Sequence, residues 1–313
     1  MDYVSLGRSG LLCSVIGLGG GSSGRFGLKK GGSKSDALRL IRTALDHGIT
    51  FFDGAGLSGG VDALLAEGVA NRRQDVVLST KVHLGPDAIP FTNVPLANQA
   101  SSWIGRRYGS VCSGSVLRKR VEQTLRTLRT DRIDVLHLHA VTPRQYPLAV
   151  ARVLPELLKM KDEGKLRAIG VTEGFLSDPR HEMLRTASLE AHFDAIMVGF
   201  NVRNPSAAEF VLPSASKAGL GVVGMFALRQ LIGPDGATGL SHLAEDAGIS
   251  LSELAYRYCR HQAGIDVVLT GTGNPAHLRQ NIAAALAPPL PESVLAELQR
   301  LPADQADAAS TRK

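Results

Sequence analysis

Three side chains with complementary chemistry each stand at the end of a short apolar run. Asp53 ends the run TFF and precedes a glycine-rich stretch, Lys81 ends VVLST, and His139 ends VLHL. A carboxylate, an ammonium group and an imidazole brought together could stabilise negative charge on a substrate oxygen and move a proton. Each alone has an ordinary interpretation, because a loop aspartate often caps a helix and many histidines belong to the core. Because all three residues stand at the end of an apolar run, we expect them to belong to one site.

Short apolar strands that alternate with amphipathic helices must position these residues. The first helix, for example, places Leu38, Ile41 and Leu45 on one face. Such alternation predicts parallel strands with right-handed crossovers, and eight units in 313 residues match a closed (β/α)8 TIM barrel. The predicted strands are 15–19, Thr50–Phe52, Val76–Thr80, Asp134–Leu138, Ala168–Val171, Ala195–Gly199, Gly221–Met225 and Asp266–Thr270.

The residues before the barrel predict an N-terminal β-hairpin, because the apolar runs YVSL and LLCSV are joined by the turn sequence GRSG. An open doubly wound sheet is the alternative fold, but it normally carries a Gly-x-Gly-x-x-Gly turn that leads directly into a helix. Here the helix after Gly19–Gly21 starts more than ten residues later. We therefore expect an α/β barrel as one domain over residues 1–301, followed by a disordered tail over 302–313.

Composition limits the classes of function. The chain carries a net charge of +6, but its basic residues are scattered and form no stripe with aromatic residues, which argues against nucleic acid and favours a small-molecule substrate. No apolar stretch is long enough to cross a bilayer and no signal peptide pattern begins the chain, so we expect a cytoplasmic protein without a membrane partner. Cys13, Cys112 and Cys259 lack the spacing of a disulfide framework or a metal site. The oligomeric state stays open.

Two loops are candidates for ligand binding. After the eighth strand, Gly271–Gly273 lead to Asn274 as a helix cap and Pro275 at the first helical position, where free N–H groups predict a nucleotide phosphate site. The segment Leu84–Cys112 has little helical or strand periodicity, and a loop of that length typically contacts substrate. The predicted substrate contacts at or near this loop are His83, Trp103 and Tyr108.

Several motifs occur in order over almost the whole chain, namely LGRSGL, HGITFFD, STK, TDRIDVLHLH, KLRAIGVT and the segment from the last glycines to Asn281. Together they resemble the aldo-keto reductase superfamily. The resemblance implies hydride transfer between NAD(P)H and a carbonyl, assisted by an Asp, Tyr, Lys and His tetrad. Asp53, Lys81 and His139 match three members, but the tyrosine position holds Ser58, which we include among the catalytic residues.

The same resemblance implies a cofactor site along the strand ends. It favours NADPH modestly and leaves NADH open, because neither lysine nor arginine occupies the position expected to contact a 2′-phosphate, which is His277. Glu173 and Met197 also depart from the asparagine and glutamine that hold the nicotinamide carboxamide in the family. The implied cofactor contacts are Thr172, Glu173, Met197, Phe226, Gly271, Thr272, Gly273, His277, Arg279, Gln280 and Asn281.

Three functions are compatible with this pattern. The first is an NAD(P)H-dependent oxidoreductase that acts on a carbonyl or alcohol with Ser58 in place of the tyrosine donor. The second is a redox-neutral isomerase, dehydratase or lyase that keeps Lys81 and His139 for acid–base chemistry. The third is a non-catalytic nucleotide sensor, which the retention of Asp53, Lys81 and His139 argues against.

Overall fold

Eight parallel strands close into a barrel in the structure, a computed structural model that describes residues 1–21, 24–56, 60–85, 103–107, 109–229, 231 and 238–300. This confirms the predicted (β/α)8 architecture. The strands of the chain are Tyr3–Ser5 (β1), Leu12–Ser14 (β2), Ile16–Gly19 (β3), Phe51–Asp53 (β4), Val77–Val82 (β5), Ile133–Val141 (β6), Leu166–Glu173 (β7), Ala195–Gly199 (β8), Gly221–Met225 (β9) and Val267–Thr270 (β10). Strands β1 and β2 form the hairpin that precedes the barrel, and the barrel strands pair in the cyclic order β10-β3-β4-β5-β6-β7-β8-β9.

Amphipathic helices surround the barrel because each has one apolar face to bury. The first helix, Lys34–Asp46, begins at a capping box in which the Ser33 hydroxyl accepts from the Asp36 N–H, and it buries Leu40 and Ile41. The other α-helices are Val61–Gly68, Gly114–Leu128, Tyr146–Arg152, Leu154–Asp162, Glu182–Glu190, Ala207–Phe210, Leu212–Lys217, Thr238–Asp246, Leu251–Arg260, Pro275–Leu286 and Glu292–Arg300, and the 3₁₀-helical segments are Arg25–Lys30 and Ala70–Asp75.

The N-terminal hairpin closes the amino-terminal end of the barrel. Its strands are antiparallel, and Leu6, Leu11 and Cys13 pack with Phe51 inside the barrel. Arg8 donates to the carbonyl groups at the ends of two outer helices, at Ala191 and Ala218. The hairpin therefore fills the amino-terminal end of the barrel, and ligands must approach from the other.

The strand register brings polar side chains together inside the barrel. Asp53 of β4 pairs with Ser79 of β5, and Lys81 of β5 pairs with His137 of β6. Paired residues of neighbouring strands point to the same face of a sheet, and residues two apart on one strand do so as well. His139 therefore shares the inner face with Lys81 at the carboxyl end of the barrel.

None of the helices in the described ranges is both long enough and apolar enough to cross a membrane. The predicted tail at 302–313 lies outside the described residues, and the domain boundary at residue 301 stays a prediction.

Candidate active site

Lys81 and Asp53 form a buried ion pair at the carboxyl end of the barrel. The Lys81 Nζ atom lies 2.5 Å from Asp53 Oδ2 and 2.8 Å from the carbonyl oxygen of Gly54. The other carboxylate oxygen of Asp53 accepts from the Ser79 hydroxyl at 2.9 Å. Because a buried charge is costly unless it is paired and hydrogen-bonded, these contacts fix both charged groups in one geometry.

His139 lies at the same end of the barrel on β6. The pKa of His139 is lowered to about 3, mainly by burial and then, in decreasing order, by the charges of Lys81, Arg106 and His83. The imidazole is therefore neutral at the pH of the cell. In this form it donates one hydrogen bond and accepts another, and it does not carry a positive charge.

A second buried carboxylate, Asp62, holds the turn that follows Asp53. Asp62 accepts from the Thr80 hydroxyl at 2.7 Å and from the Ala55 N–H at 2.9 Å. Thr80 in turn accepts from the Gly56 N–H at 3.1 Å. Burial raises the pKa of Asp62 to about 6. The sequence analysis missed this residue, although an acid in the first turn of the helix after the glycines was a visible signal.

His137 is a further histidine of the barrel interior that the sequence analysis did not select. Its side chain is fully buried one layer below His139, and neither ring nitrogen has a hydrogen-bond partner among the described residues. Burial lowers the pKa of His137 to about 3, with smaller contributions from Lys81 and His139. Alternation along β6 was the available signal, because residues 137 and 139 must face the same side.

The predicted substrate contacts fall at different depths. His83 follows β5 directly and is partly buried, and its charge acts on His139. Trp103 is 58% exposed at the start of a short helical turn over residues 103–107. This turn corrects the expectation of a segment without helix, because its position is set by contacts with the barrel rather than by local periodicity. Ser58 and Tyr108 lie outside the described residues.

Residues predicted to contact the nicotinamide lie at the end of β7, in the middle of β8 and directly after β9. The Thr172 hydroxyl accepts from the Ala140 N–H at 2.8 Å. Met197 is buried among the apolar residues inside the barrel. Phe226 is partly exposed, has a positive φ of 73°, and lies 5.5 Å from the Phe175 ring. Thr172 and Phe226 thus lie near the carboxyl end of the barrel, whereas Met197 belongs to its apolar interior, and the contact of all three with cofactor stays a prediction.

Glu173 uses both carboxylate oxygens within the protein. One oxygen accepts from the Gly199 N–H at 2.7 Å, and the other lies 2.8 Å from His181 Nδ1. Both side chains are fully buried, and burial raises the pKa of Glu173. Glu173 therefore braces the connection between β7 and the next helix, and its assignment to the cofactor is still a prediction.

The loop after β10 has the geometry of a helix start. Asn274 caps the helix Pro275–Leu286 by accepting from the Ala276 N–H at 2.8 Å. His277, Arg279 and Gln280 are exposed on its first two turns. Asn281 is instead buried, and its amide donates to the Thr270 hydroxyl at 2.8 Å.

Close backbone packing also shapes this loop. A Cβ atom at Gly273 would lie 2.3 Å from the Cα atom of Gly27, so that the 3₁₀ segment Arg25–Lys30 rests directly on it. A Cβ atom at Gly271 would have the Gly19 carbonyl oxygen, at 3.6 Å, as its one contact among the described residues, and Thr272 is partly exposed. Bare backbone next to exposed basic side chains suits an anionic ligand.

A parallel barrel whose carboxyl end holds a Lys–Asp ion pair and a neutral histidine defines a class of enzyme that stabilises charge on a substrate oxygen. The model of the aldo/keto reductase family matches residues 15–232 and 235–302. This protein therefore belongs to the aldo/keto reductase family of oxidoreductases. Within the described residues, no group of three or more histidine, cysteine or acidic side chains is arranged to hold a metal ion.

Relatives of this chain have names that describe redox enzymes. It is 25% identical over 306 residues to L-galactose dehydrogenase of Arabidopsis thaliana, an alignment that covers 91% of this chain and 88% of the relative. It is 26% identical to D-threo-aldose 1-dehydrogenase of a Pseudomonas species, with 93% and 94% covered.

Solved structures support the same fold. An aldo/keto reductase from Klebsiella pneumoniae in complex with NADP and acetate has a TM-score of 0.72 at 21% identity and covers 94% of this chain and 93% of its own. An aldo-keto reductase from Bacillus halodurans in its holo form has a TM-score of 0.73 at 22% identity, with 96% of each chain covered. At this level of identity the likeness concerns the fold alone.

Proposed function

We propose that this protein is a nicotinamide-dependent oxidoreductase that interconverts a carbonyl group and an alcohol on a small organic substrate, with NADPH favoured as cofactor. The observation that carries the proposal is the position of Lys81. Its ammonium group lies 2.5 Å from Asp53 Oδ2 at the open end of the barrel, and His139 lies on the adjacent strand, two residues beyond the strand partner of Lys81.

Lys81 supplies the positive charge that carbonyl chemistry requires. Reduction places developing negative charge on the carbonyl oxygen, and a fixed cation lowers the free energy of that state. An ammonium group has three N–H donors. Among the described residues Asp53 and Gly54 accept two of them, and the third is the donor that we assign to the substrate oxygen.

His139 contributes as a neutral donor beside this charge. Its pKa of about 3 means that an imidazolium is not populated at neutral pH. The ring therefore orients the substrate oxygen through a hydrogen bond and does not compete with Lys81 for the negative charge. A bound reduced nicotinamide supplies the hydride.

The source of the proton is where this chain departs from its family. Ser58 occupies the sequence position of the tyrosine, and a serine hydroxyl is a weaker acid than a phenol, whose ordinary pKa is about 10. We propose that Ser58 is the altered donor group. In that role its hydroxyl would pass a proton from water to the alkoxide that forms on reduction.

The chain's own groups fit the anionic part of a nicotinamide nucleotide. The Gly271–Gly273 backbone and the first turn of the helix Pro275–Leu286 offer N–H groups for phosphate oxygens. His277 and Arg279 are exposed on that helix, where a 2′-phosphate could be bound. Support for NADPH also comes from the Klebsiella pneumoniae structures, which are described as complexes with NADP and NADPH.

Nucleotide binding and turnover test the proposal together. Purified protein is titrated with NADPH and NADH by calorimetry, and aldehydes, ketones, sugars and alcohols are then screened by nicotinamide absorbance and by product mass. We expect NADPH binding and an absorbance change coupled to product. Product that forms without an absorbance change would establish redox-neutral chemistry instead, and the absence of nucleotide binding would contradict the proposal.

A further inference from the structure

The turn Gly54–Gly56 lies directly against Lys81. The carbonyl oxygen of Gly54 accepts from Lys81 Nζ at 2.8 Å. The Gly54 N–H in turn donates to the carbonyl group of Ser79 on β5 at 2.7 Å. A Cβ atom at Gly56 would be 2.3 Å from the carbonyl oxygen of Lys81, so this part of the turn rests on the backbone of β5. A shift of the turn would therefore move an acceptor of the Lys81 ammonium group.

Asp62 and Thr80 hold this turn through side-chain hydrogen bonds. The Ala55 N–H donates to Asp62 Oδ1 at 2.9 Å, and the Thr80 hydroxyl donates to Asp62 Oδ2 at 2.7 Å. The Thr80 oxygen also accepts from the Gly56 N–H at 3.1 Å. One carboxylate and one hydroxyl thus bind two consecutive N–H groups of the turn to β5.

The surroundings of Asp62 allow the turn little movement. The side chains of Asp62 and Thr80 have no exposed surface. A Cβ atom at Gly54 would lie 2.3 Å from Asp62 Oδ1 and 2.9 Å from Thr80 Oγ1. Burial raises the pKa of Asp62 to about 6, which still leaves the carboxylate mostly ionised at neutral pH. A buried carboxylate needs its hydrogen-bond donors, because they replace the water that it has lost.

Asp62 acts on the site from the outer side of β5. Consecutive residues of a strand point to opposite faces, so Thr80 faces the surrounding helices while Lys81 faces the barrel interior. Asp62 binds Thr80 and therefore lies on the same outer side. Its effect on the reacting oxygen must pass through the turn and Lys81.

We propose that Asp62 is a positioning residue for the reaction. Together with Thr80 it fixes the Gly54 carbonyl group, and thereby the direction of the Lys81 N–H that we assign to the substrate oxygen. The inference rests on the proposed function. A displacement of about 1 Å, caused by a change away from the reacting atoms, can reduce turnover about 100-fold. Loss of the Asp62 carboxylate should therefore impair turnover although Asp62 does not contact the substrate.

Substitutions of Asp62 and Thr80 test this role. Asp62→Asn keeps the shape of the side chain but presents an N–H donor where Asp62 accepts from the Thr80 hydroxyl. Thr80→Val removes the hydroxyl at nearly equal shape, and Thr80→Ser retains it. Asp266→Asn is the matched control, because Asp266 also accepts from two backbone N–H groups, those of Gly7 and Val222, but at the amino-terminal end of the barrel.

Turnover and nucleotide binding are measured separately in each variant. The substrates are NADPH with 4-nitrobenzaldehyde, glyceraldehyde or pyruvate, whichever the parent reduces fastest, and the Kd for NADPH is measured by calorimetry. We expect Asp62→Asn and Thr80→Val each to lower kcat by about 10- to 100-fold and to leave the Kd for NADPH at the parent value, because the loss concerns the transition state. Thr80→Ser should retain most of the parent kcat, and Asp266→Asn should retain all of it.

The double variant Asp62→Asn with Thr80→Val shows whether the two residues act as one unit. Its kcat should be no lower than that of the weaker single variant, because both substitutions break the same chain of hydrogen bonds. A loss equal to the product of the two single losses overturns the role. Parent-like kcat in both single variants, or an equal loss in Asp266→Asn, also overturns it. If Asp62→Asn does not fold, the comparison of Thr80→Val with Thr80→Ser decides.

Crystal structures of the parent and of Asp62→Asn separate this inference from the proposed function. The distance from Lys81 Nζ to the Gly54 carbonyl oxygen is 2.8 Å in the parent. In the variant it should exceed about 3.5 Å, beyond the range of a hydrogen bond. Such a change supports the positioning role even if the parent reduces no carbonyl. An unchanged distance contradicts the role even if NADPH-dependent reduction is found.

Discussion

His137 and Gly170 face each other across β6 and β7, and a Cβ atom at residue 170 would lie 2.3 Å from the Nδ1 atom of His137. The imidazole therefore occupies space that only a glycine on the next strand leaves open. Gly170→Ala should reduce the free energy of unfolding by about 1 to 3 kcal/mol, as overpacking of a core does. The loss should shrink in a His137→Ala background, which urea unfolding of the two single variants and the double variant would show.

Gly19→Ala is the matched control for this cycle. Gly19 also lies in a barrel strand, but a Cβ atom there would have its nearest contact at 3.6 Å. The change in unfolding free energy of Gly19→Ala should therefore report the replacement of a strand glycine without a steric clash. Equal losses for Gly170→Ala in the presence and absence of the His137 ring would contradict the steric explanation.

The buried imidazole of His137 should also make the protein sensitive to acid. Its folded pKa of about 3 lies below the unfolded value near 6.5, so below pH 6.5 the unfolded chain binds a proton that the folded chain excludes. Stability is then lost as pH falls, by about 2 kcal/mol between pH 7 and pH 5 from this residue. His137→Leu should remove that part of the pH dependence, measured as unfolding free energy at several pH values. His242→Gln, at an exposed histidine, should keep the slope of the parent.

The ion pair between Lys81 and Asp53 should serve both stability and activity, and a double substitution separates the two. Lys81→Met leaves a buried carboxylate unpaired, so it should cost about 3 kcal/mol of stability and at least about 100-fold in turnover. Replacing both partners, as in Asp53→Leu with Lys81→Met, should recover stability without recovering activity. Substantial turnover by the folded double variant would mean that Lys81 does not stabilise the reacting oxygen.

The 2′-phosphate assignment predicts a selective change in cofactor affinity. His277→Ala combined with Arg279→Ala should raise the Kd for NADPH by about tenfold, the value of one or two charge-assisted hydrogen bonds, and leave the Kd for NADH as it was. Calorimetric titration of both nucleotides measures this. Arg300→Ala, which removes one exposed charge elsewhere, serves as the control. Unchanged affinity for both nucleotides in the double variant would refute the assignment.

Much of the barrel and part of the site could be predicted because they depend on local pattern. The alternation of apolar runs and amphipathic helices predicts eight units, and residues that end parallel strands must meet at one edge. Asp53, Lys81 and His139 could be selected on that ground. Each of them lies at the carboxyl end of the barrel in the structure.

Other features depend on contacts between distant residues and could not be read from spacing. The sequence around Gly170 does not indicate that the missing side chain leaves space for the His137 ring. The hydrogen bond between Glu173 and His181 depends on the conformation of the chain that follows β7. The turn over residues 103–107 is held by Gln145 and the backbone near Gly85, both of which are distant from it in the sequence. Tertiary contacts outweigh local propensity in such places.

Ser58→Tyr tests the remaining departure from the family, and its two outcomes separate the redox function from a redox-neutral one. Ser58 lies outside the described residues, so the prediction rests on its sequence position five residues after Asp53. A phenol with an ordinary pKa of about 10 beside the Lys81 cation is a better proton donor than a serine hydroxyl. For a reductase with a weakened donor, the variant should reduce simple aldehydes with NADPH about 10- to 100-fold faster than the parent. For a redox-neutral enzyme, the ring should displace the true substrate and lower native turnover without creating reductase activity.

Ser58→Phe controls for ring volume, because it fills the same space without a proton to donate. A Ser58→Tyr protein that binds NADPH, reduces no carbonyl and keeps full native turnover would place residue 58 outside the reacting centre.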